Sequence, residues 1–563
     1  MGPKLLFFLL TLHVSIAIFF IPSVNGADLV NQTSPGTICG STPNPSYCRS
    51  VLPNLNGTVF TYGRYSIQRS LSQSRKFMAL VDQYLKRRSS LSTTAVRALE
   101  DCRQLAGLNI DFLSTAMQTL TTTSSTLPTS QADYVQTLLS AILTNLQTCI
   151  EGLQTTSSAW SVRNGISAPL SSDSKLYSVS LALFTKGWVP KRKKAKMTWQ
   201  PSGKQLGFSN GRLPLDMSSR AKTIYETVSR RKLLQEDNSS NGVLVSDIVT
   251  VSQDGTGNFT TINDAVNAAP NNTLPSNGYF LIFITAGVYE EYVSIGSKKK
   301  NLMMIGAGIN QTIITGNRSV VDGWTTFNSA TFAVTAPNFV AVNITFRNTA
   351  GPQKHQAVAM RSGADLSVFY SCSFEAYQDT LYTHSLRQFY RECDVYGTVD
   401  FIFGNAAVVL QNCNLFPRLP MSGQFNAITA QGRTDPNQNT GTSIINCTIR
   451  AADDLATSSS SVQTYLGRPW KEYSRTVYLQ SFMDSLINPA GWREWDKDFA
   501  LKTLYYAEYN NTGLGSNTSG RVKWDGYHIL TNASDASNFT VANFFVGDLW
   551  IRPTGVPFFS GLL

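Results

Sequence analysis

The chain predicts a mainly β protein: a right-handed parallel β-helix preceded by an α-helical domain, a four-helix bundle. Three features point there. Pentapeptides centred on cysteine recur through the C-terminal half. Short apolar alternations between polar turns surround them, and apolar residues at helical spacing fill the region before.

The pentapeptides set the period. Tyr370-Ser371-Cys372-Ser373-Phe374 aligns with Arg391-Glu392-Cys393-Asp394-Val395, Gln411-Asn412-Cys413-Asn414-Leu415 and Ile445-Asn446-Cys447-Thr448-Ile449. Val342-Asn343-Ile344-Thr345-Phe346 fits with isoleucine at the centre. The steps of 28, 21, 20 and 34 residues suit a solenoid with one coil per repeat and occasional insertions. Residues 279–285, 301–305, 332–335 and 408–410 read as its short strands. A β-sandwich offers no reason for aligned cysteines.

Asp379 and Asp400 each follow their cysteine, Cys372 and Cys393, by seven residues. Equal offsets put them on neighbouring rungs, roughly 4.8 Å apart. Carboxylates that close do not ionise independently, so one pKa is expected to rise while the other stays low. That pattern marks an acid–base pair.

The same stacking puts Cys372 and Cys393 within disulfide reach, and Cys413 with Cys447. Earlier in the chain, Cys39 with Cys48 and Cys102 with Cys149 are the expected pairs. Eight cysteines and many Asn-x-Ser/Thr triplets (Asn31, Asn56, Asn238, Asn258, Asn310, Asn343, Asn446, Asn517 and Asn538) fit an oxidising, secretory route. There is no Cys-x-x-Cys, and His355, His384 and His528 are the only histidines after the leader, so no metal site is expected.

Four segments follow in order. Residues 1–26 read as a signal peptide: Lys4, an apolar run over 5–21, then Pro22 and small residues before position 27. Residues 27–186 read as the helical domain, from Val81, Tyr84 and Leu85, from Val96, Leu99, Leu105 and Leu108, and from Val135, Leu138, Leu139, Ile142 and Leu146. Residues 187–242 read as a basic linker ending in Arg230-Arg231-Lys232-Leu233-Leu234, a candidate site for a processing protease. Residues 243–563 read as the β-helix. No later segment is apolar enough to make the protein a membrane span once the leader is removed. The net charge of +11 favours a polyanion, either nucleic acid or an acidic polysaccharide.

One motif misleads. Gly207-Phe208-Ser209-Asn210-Gly211 has the nucleophile-elbow pattern, but it needs a strand before it and a helix after it, and it stands in the linker.

Five segments carry the chemistry: Gly287-Val288-Tyr289-Glu290-Glu291, Gln356-Ala357-Val358-Ala359, Gln378-Asp379-Thr380-Leu381, Asp400-Phe401-Ile402-Phe403-Gly404 and Leu466-Gly467-Arg468-Pro469-Trp470. In this order they resemble the signature segments of plant pectin methylesterases, and the helical region resembles the invertase and pectin methylesterase inhibitor family. The resemblance implies a secreted, cell-wall esterase that needs no cofactor and binds pectin, not nucleic acid. A processing protease and inhibitor proteins are implied as further partners. It implies Asp400 as nucleophile, Asp379 as acid and base, Gln378 and Gln356 as oxyanion donors, Arg468 as partner of Asp400, and Trp470 and Thr326 as substrate contacts. Gly287, Tyr289 and Glu291 are expected to support the fold. One tension is visible: Gln378 and Asp379 are adjacent and in a regular strand face opposite sides, so the chain must bend there.

Two other functions fit parts of the pattern. A glycosidase or lyase on the same polymer also uses paired acids on a β-helix. A non-catalytic wall-binding or inhibitory protein would use the helical domain alone. The glutamine pair and the Arg-Pro-Trp segment favour the ester.

Overall fold

The computed structural model describes residues 32–156, 160–190, 213–229, 242–459 and 461–563. Two short helices, α1 (Pro35–Cys39) and α2 (Pro45–Val51), precede four long ones: α3 (Val59–Leu85), α4 (Thr93–Leu120), α5 (Thr129–Thr155) and α6 (Trp160–Gly187). Thr58 and Ser92 start α3 and α4 by accepting from the Thr61 and Ala95 amides, each at 3.1 Å. The apolar stripes read from the sequence face one another around Leu99, Leu113, Leu139, Ile142 and Phe184. A Cys102–Cys149 disulfide ties α4 to α5, and Cys39–Cys48 joins α1 to α2.

From residue 243 the chain coils into a parallel β-helix. The central coils each give one short strand to each of three parallel sheets, which have 12, 8 and 7 strands because the end coils add to the first sheet alone or to two of the three. One coil is Ser367–Tyr370, Ser373–Glu375 and Leu381–Thr383, and the next is Arg387–Arg391, Asp394–Gly397 and Ile402–Gly404. The repeated pentapeptide is the corner between the first two sheets. Its second residue is left-handed at Asn343, Ser371, Glu392, Asn412 and Asn446 (φ 50 to 58°). That turn points the central residue into the core, where Ile344 and the four cysteines are all buried.

Those four cysteines are thiols, which corrects the expected Cys372–Cys393 and Cys413–Cys447 bridges. The rungs are in register, with Ser373 opposite Asp394 and Asn414 opposite Thr448. Stacked Cβ atoms therefore run parallel about one rung apart, roughly 4.8 Å. A disulfide needs about 3.8 Å between Cβ atoms and a dihedral near 90°. Each thiol instead lies against a carbonyl of the rung before, Cys393 on Phe369 at 3.4 Å and Cys447 on Leu410 at 3.5 Å.

The expected linker also needs correcting in part. Leu215–Asp216 adds in parallel to Val243 and Leu244 at the edge of the first sheet. Helix α7 (Ser219–Ser229) follows, with Ala221, Ile224, Tyr225 and Val228 packed against the β-helix. Their i, i+3, i+4, i+7 spacing is an amphipathic signal within the basic stretch. The signal peptide, the Gly207–Gly211 motif and the 230–234 segment lie outside the described residues. Among the described residues no helix is long and apolar enough to cross a membrane.

Residues of the first motif hold the fold. Glu291 accepts from the Ile262 and Asn263 amides at 2.8 and 3.0 Å, capping the start of α8 (Ile262–Ala268). The Tyr289 hydroxyl packs between Thr285 and the Val251 carbonyl.

The helical domain lies on the outer face of the third sheet. Along that face Arg361, Tyr382, Phe403 and Ala430 are neighbours rung to rung. Tyr382 and Phe403 stack at 4.1 Å, and with Phe327 and Val358 they join the core of the bundle. The third sheet is thus buried on both sides, as parallel sheets usually are.

Candidate active site

Asp379 and Asp400 stand two residues before strands Leu381–Thr383 and Ile402–Gly404, which pair Leu381 with Ile402. Both are left-handed, with φ of 66° and 54°. For non-glycine residues this backbone is costly and clusters at functional sites. It supplies the bend the sequence demanded: Gln378 and Asp379 line the same cavity. The turn is braced by the Asp379 amide on the Val399 carbonyl (3.1 Å) and by Thr380 Oγ1 on the Tyr396 carbonyl (2.8 Å).

That cavity, of about 330 Å³, is lined by all seven residues singled out in the sequence: Thr326, Gln356, Gln378, Asp379, Asp400, Arg468 and Trp470. Arg468 enters from the end of strand Thr464–Gly467, two coils beyond Asp400. Its Nε and Nη2 donate to Asp400 Oδ1 and Oδ2 at 2.8 and 2.7 Å, a two-pronged ion pair. Trp470 meets Phe403 edge-on at 5.9 Å, over Gly432. A Cβ on that glycine would stand 2.8 Å from the indole, so glycine is required there.

The two acids differ in electrostatics. Burial, and then the charge of Asp400, push the Asp379 carboxyl well above its ordinary range. Burial raises Asp400 as well, against the hydrogen bonds and charge of Arg468. The expectation that Asp400 stays low is therefore modified: burial raises both carboxyls, and the Arg468 guanidinium opposes this at both, through charge alone at Asp379 and through charge and hydrogen bonds at Asp400.

The roof was not legible in the sequence. Asp101 of α4 and Thr148, Glu151, Gly152 and Thr155 of α5 close the cavity from the helical side. Asp101 accepts from Thr325 Oγ1 at 2.5 Å and from the side-chain Nδ2 of Asn328. Glu151 pairs with Lys471. Thr148 Oγ1 lies 3.0 Å from His384 Nε2, and Arg387 bridges Asp133 of α5 (3.0 Å) and Asp365 (2.7 Å). Trp495 was missed too. It lies under the Arg468 guanidinium at 4.2 Å, brought there by a later coil with no local pattern to announce it.

Residues 248–548 match the Pectinesterase family model, and residues 33–183 match the Plant invertase/pectin methylesterase inhibitor model. Fold and cleft thus define a polysaccharide-directed ester hydrolase that carries an inhibitor-like domain in the same chain. The chain is 64% identical to "Probable pectinesterase/pectinesterase inhibitor 7" of Arabidopsis thaliana, over 99% of both chains. It is 49% identical to "Pectinesterase 2" of Citrus sinensis, covering 93% of this chain and 94% of that one. Among solved structures, the pectin methylesterase from carrot matches at 53% identity with a TM-score of 0.55. It covers 58% of this chain and is itself covered completely. The chain belongs to the pectinesterase family, and its reaction is the removal of methyl esters from pectin.

Proposed function

We propose that Asp400 is the nucleophile of this esterase and Asp379 its acid and base. The observation that carries this reading is the asymmetry between them. Asp400 is clamped by two nitrogens of Arg468, Nε and Nη2, whereas Asp379 has no hydrogen-bonded cation and is pushed toward its protonated form.

The Asp400 carboxylate attacks C6 of a methylated galacturonate. Gln356 and Gln378 donate amide hydrogens to the oxyanion that develops. The methoxide leaves with the proton of Asp379 as methanol, and the acyl group stays on Asp400 as an anhydride. Asp379, now ionised, takes a proton from water, whose hydroxide attacks the anhydride. Free galacturonate leaves, and both acids return to their starting states. Trp470 and Thr326 hold the sugar beside the acids.

The uncleaved chain is the restrained form in this reading. Its α4 and α5 cover the cleft, and a protease cutting near residues 230–234 of the secreted protein frees them. The open cleft then acts on pectin in the cell wall and is the surface that a separate inhibitor protein meets. Incubating full-length and cleaved protein with highly methylated pectin, with methanol and chain length assayed together, tests this. Methanol release at constant chain length, faster after cleavage, is the expected result. Chain shortening would sink the esterase mechanism, and equal rates would sink the restraint.

A further inference from the structure

Strand Leu215–Asp216 and helix α7 fall between the two family matches, which end at residue 183 and begin again at 248. They are nonetheless built into the catalytic half. Leu215 and Asp216 extend the first sheet in parallel beside Val243 and Leu244, and the Val243 amide donates to the Pro214 carbonyl at 2.6 Å. Leu213, Leu215 and Ala221 are buried in the apolar cluster on the outer face of that sheet. The ring of Tyr225 meets Phe283 edge-on at 5.7 Å. Gly555 closes the seat from the C-terminal end: a Cβ there would stand 2.6 Å from Val243 and 3.0 Å from Pro214. None of these residues lines the cleft.

The seat and its occupant lie on opposite sides of the candidate processing segment. A cut within 230–234 puts the seat, from Val243 on, in one chain and leaves residues 213–229 near the C-terminus of the other. The helical domain belongs to that same other chain. It meets the catalytic half elsewhere, on the third sheet and the cleft rim, where Arg97 of α4 lies 3.7 Å from the Trp324 ring centroid. Departure of residues 213–229 would open the edge of strand Val243–Val251 and bare the apolar side chains of Val245, Leu281 and Phe283. Both an open edge and a bared apolar face are unfavourable in water.

We propose that the β-helix carries a second docking surface, the edge of strand Val243–Val251 and the sheet face beside it. Its partner is the strand–helix segment 213–229 of the processed N-terminal fragment. Cleavage then yields a two-chain complex held at two separate surfaces. Two contacts on one fragment reinforce each other, because release of one leaves the fragment tethered by the other. The cleft opens only when the fragment leaves both. This rests on the reading that the chain is cut within 230–234, and it adds a step between that cut and free access to the cleft.

The test compares two cut positions in the full chain. In one protein the recognition sequence of a site-specific protease replaces residues 230–234; in the other it replaces residues 200–204. The second cut severs the helical domain but leaves 213–229 covalently attached to the β-helix, so both proteins keep the contacts described above. After complete cutting, size-exclusion chromatography over a dilution series reads how tightly the fragments hold together. Exchange between labelled and unlabelled cut protein reads the dissociation rate of a pair too tight to dilute apart. The pair cut at 230–234 is expected to hold at least about a hundredfold tighter than the pair cut at 200–204. Ile224→Ala combined with Tyr225→Ala is expected to weaken the first pair about tenfold or more and to leave the second unchanged. Equal affinities for the two cut positions overturn the proposal, as does an unaltered affinity in the α7 variant. Methanol release over the same dilution series separates this from the restraint of the cleft. A rate that does not rise as the fragment departs sinks the restraint, whereas failure of the second docking surface shows in the chromatogram.

Discussion

Asp101 and Thr325 are 224 residues apart in sequence and joined by a 2.5 Å hydrogen bond across the two halves of the molecule. The carboxyl is fully enclosed between α4 and the cleft wall. Burial raises its pKa from 3.8 to about 7, opposed by Thr325 and Arg361 and reinforced by Glu100.

This makes docking of the helical domain pH-dependent. The docked state holds a proton that the undocked state gives up near 3.8, so its contribution is complete below that value and is lost as pH rises through about 7. Hydrogen exchange at residues 325–328, corrected for intrinsic rates, is expected to be slower at pH 5 than at pH 8. In Asp101→Asn the difference should shrink, and an undiminished difference would assign the effect to another group.

On the proposed mechanism, Asp400→Asn lowers kcat by at least about 10³, because the nucleophile is gone. Arg468→Gln lowers it by about 10² to 10³, since Asp400 loses both its orientation and its counter-ion. Arg468→Lys keeps the charge without the fork and should fall between Arg468→Gln and the parent. Methanol release from cleaved protein reads all three. Full activity in Asp400→Asn would remove the aspartate from its role.

Arg387 is buried between Asp133 and Asp365. Arg387→Met leaves two buried carboxylates uncompensated and is expected to cost about 3–5 kcal/mol. Asp133→Asn removes only the helical partner and should cost less. Reversible denaturant unfolding of full-length protein measures both, and a cost below about 1 kcal/mol for Arg387→Met would show that water reaches the pair.

Four of the eight cysteines are reduced and enclosed. A thiol reagent is expected to label none of them in native protein and four after unfolding without reductant. Two or fewer labelled thiols would mean that a rung pair does bridge after all.

Much of the fold was legible because it rests on local rules. The pentapeptide around Cys372, Cys393, Cys413 and Cys447 marks a corner whose left-handed residue recurs once per coil, and a period survives in sequence. The helices announced themselves through apolar spacing, and the Asp379–Asp400 offset placed both acids on one edge. The fate of the corner cysteines was less legible, because closeness of two rungs says nothing of the direction of their Cβ bonds. Helix α7 was overlooked because the basic residues around Ala221, Ile224, Tyr225 and Val228 masked a stripe that its spacing did reveal.

The sequence alone determined the two-part architecture, the coil period and the residues that gather at the cleft, since each depends on neighbours a few residues or one repeat away. Only the tertiary structure decided what faces that cleft. The outward row of Arg361, Tyr382 and Phe403 carries no mark of its partner. The pairing of Asp101 with Thr325, Glu151 with Lys471 and Arg97 with Trp324 joins segments with no shared period. Such contacts arise only when two finished surfaces meet, and complementarity between surfaces has no signature in either strand or helix spacing.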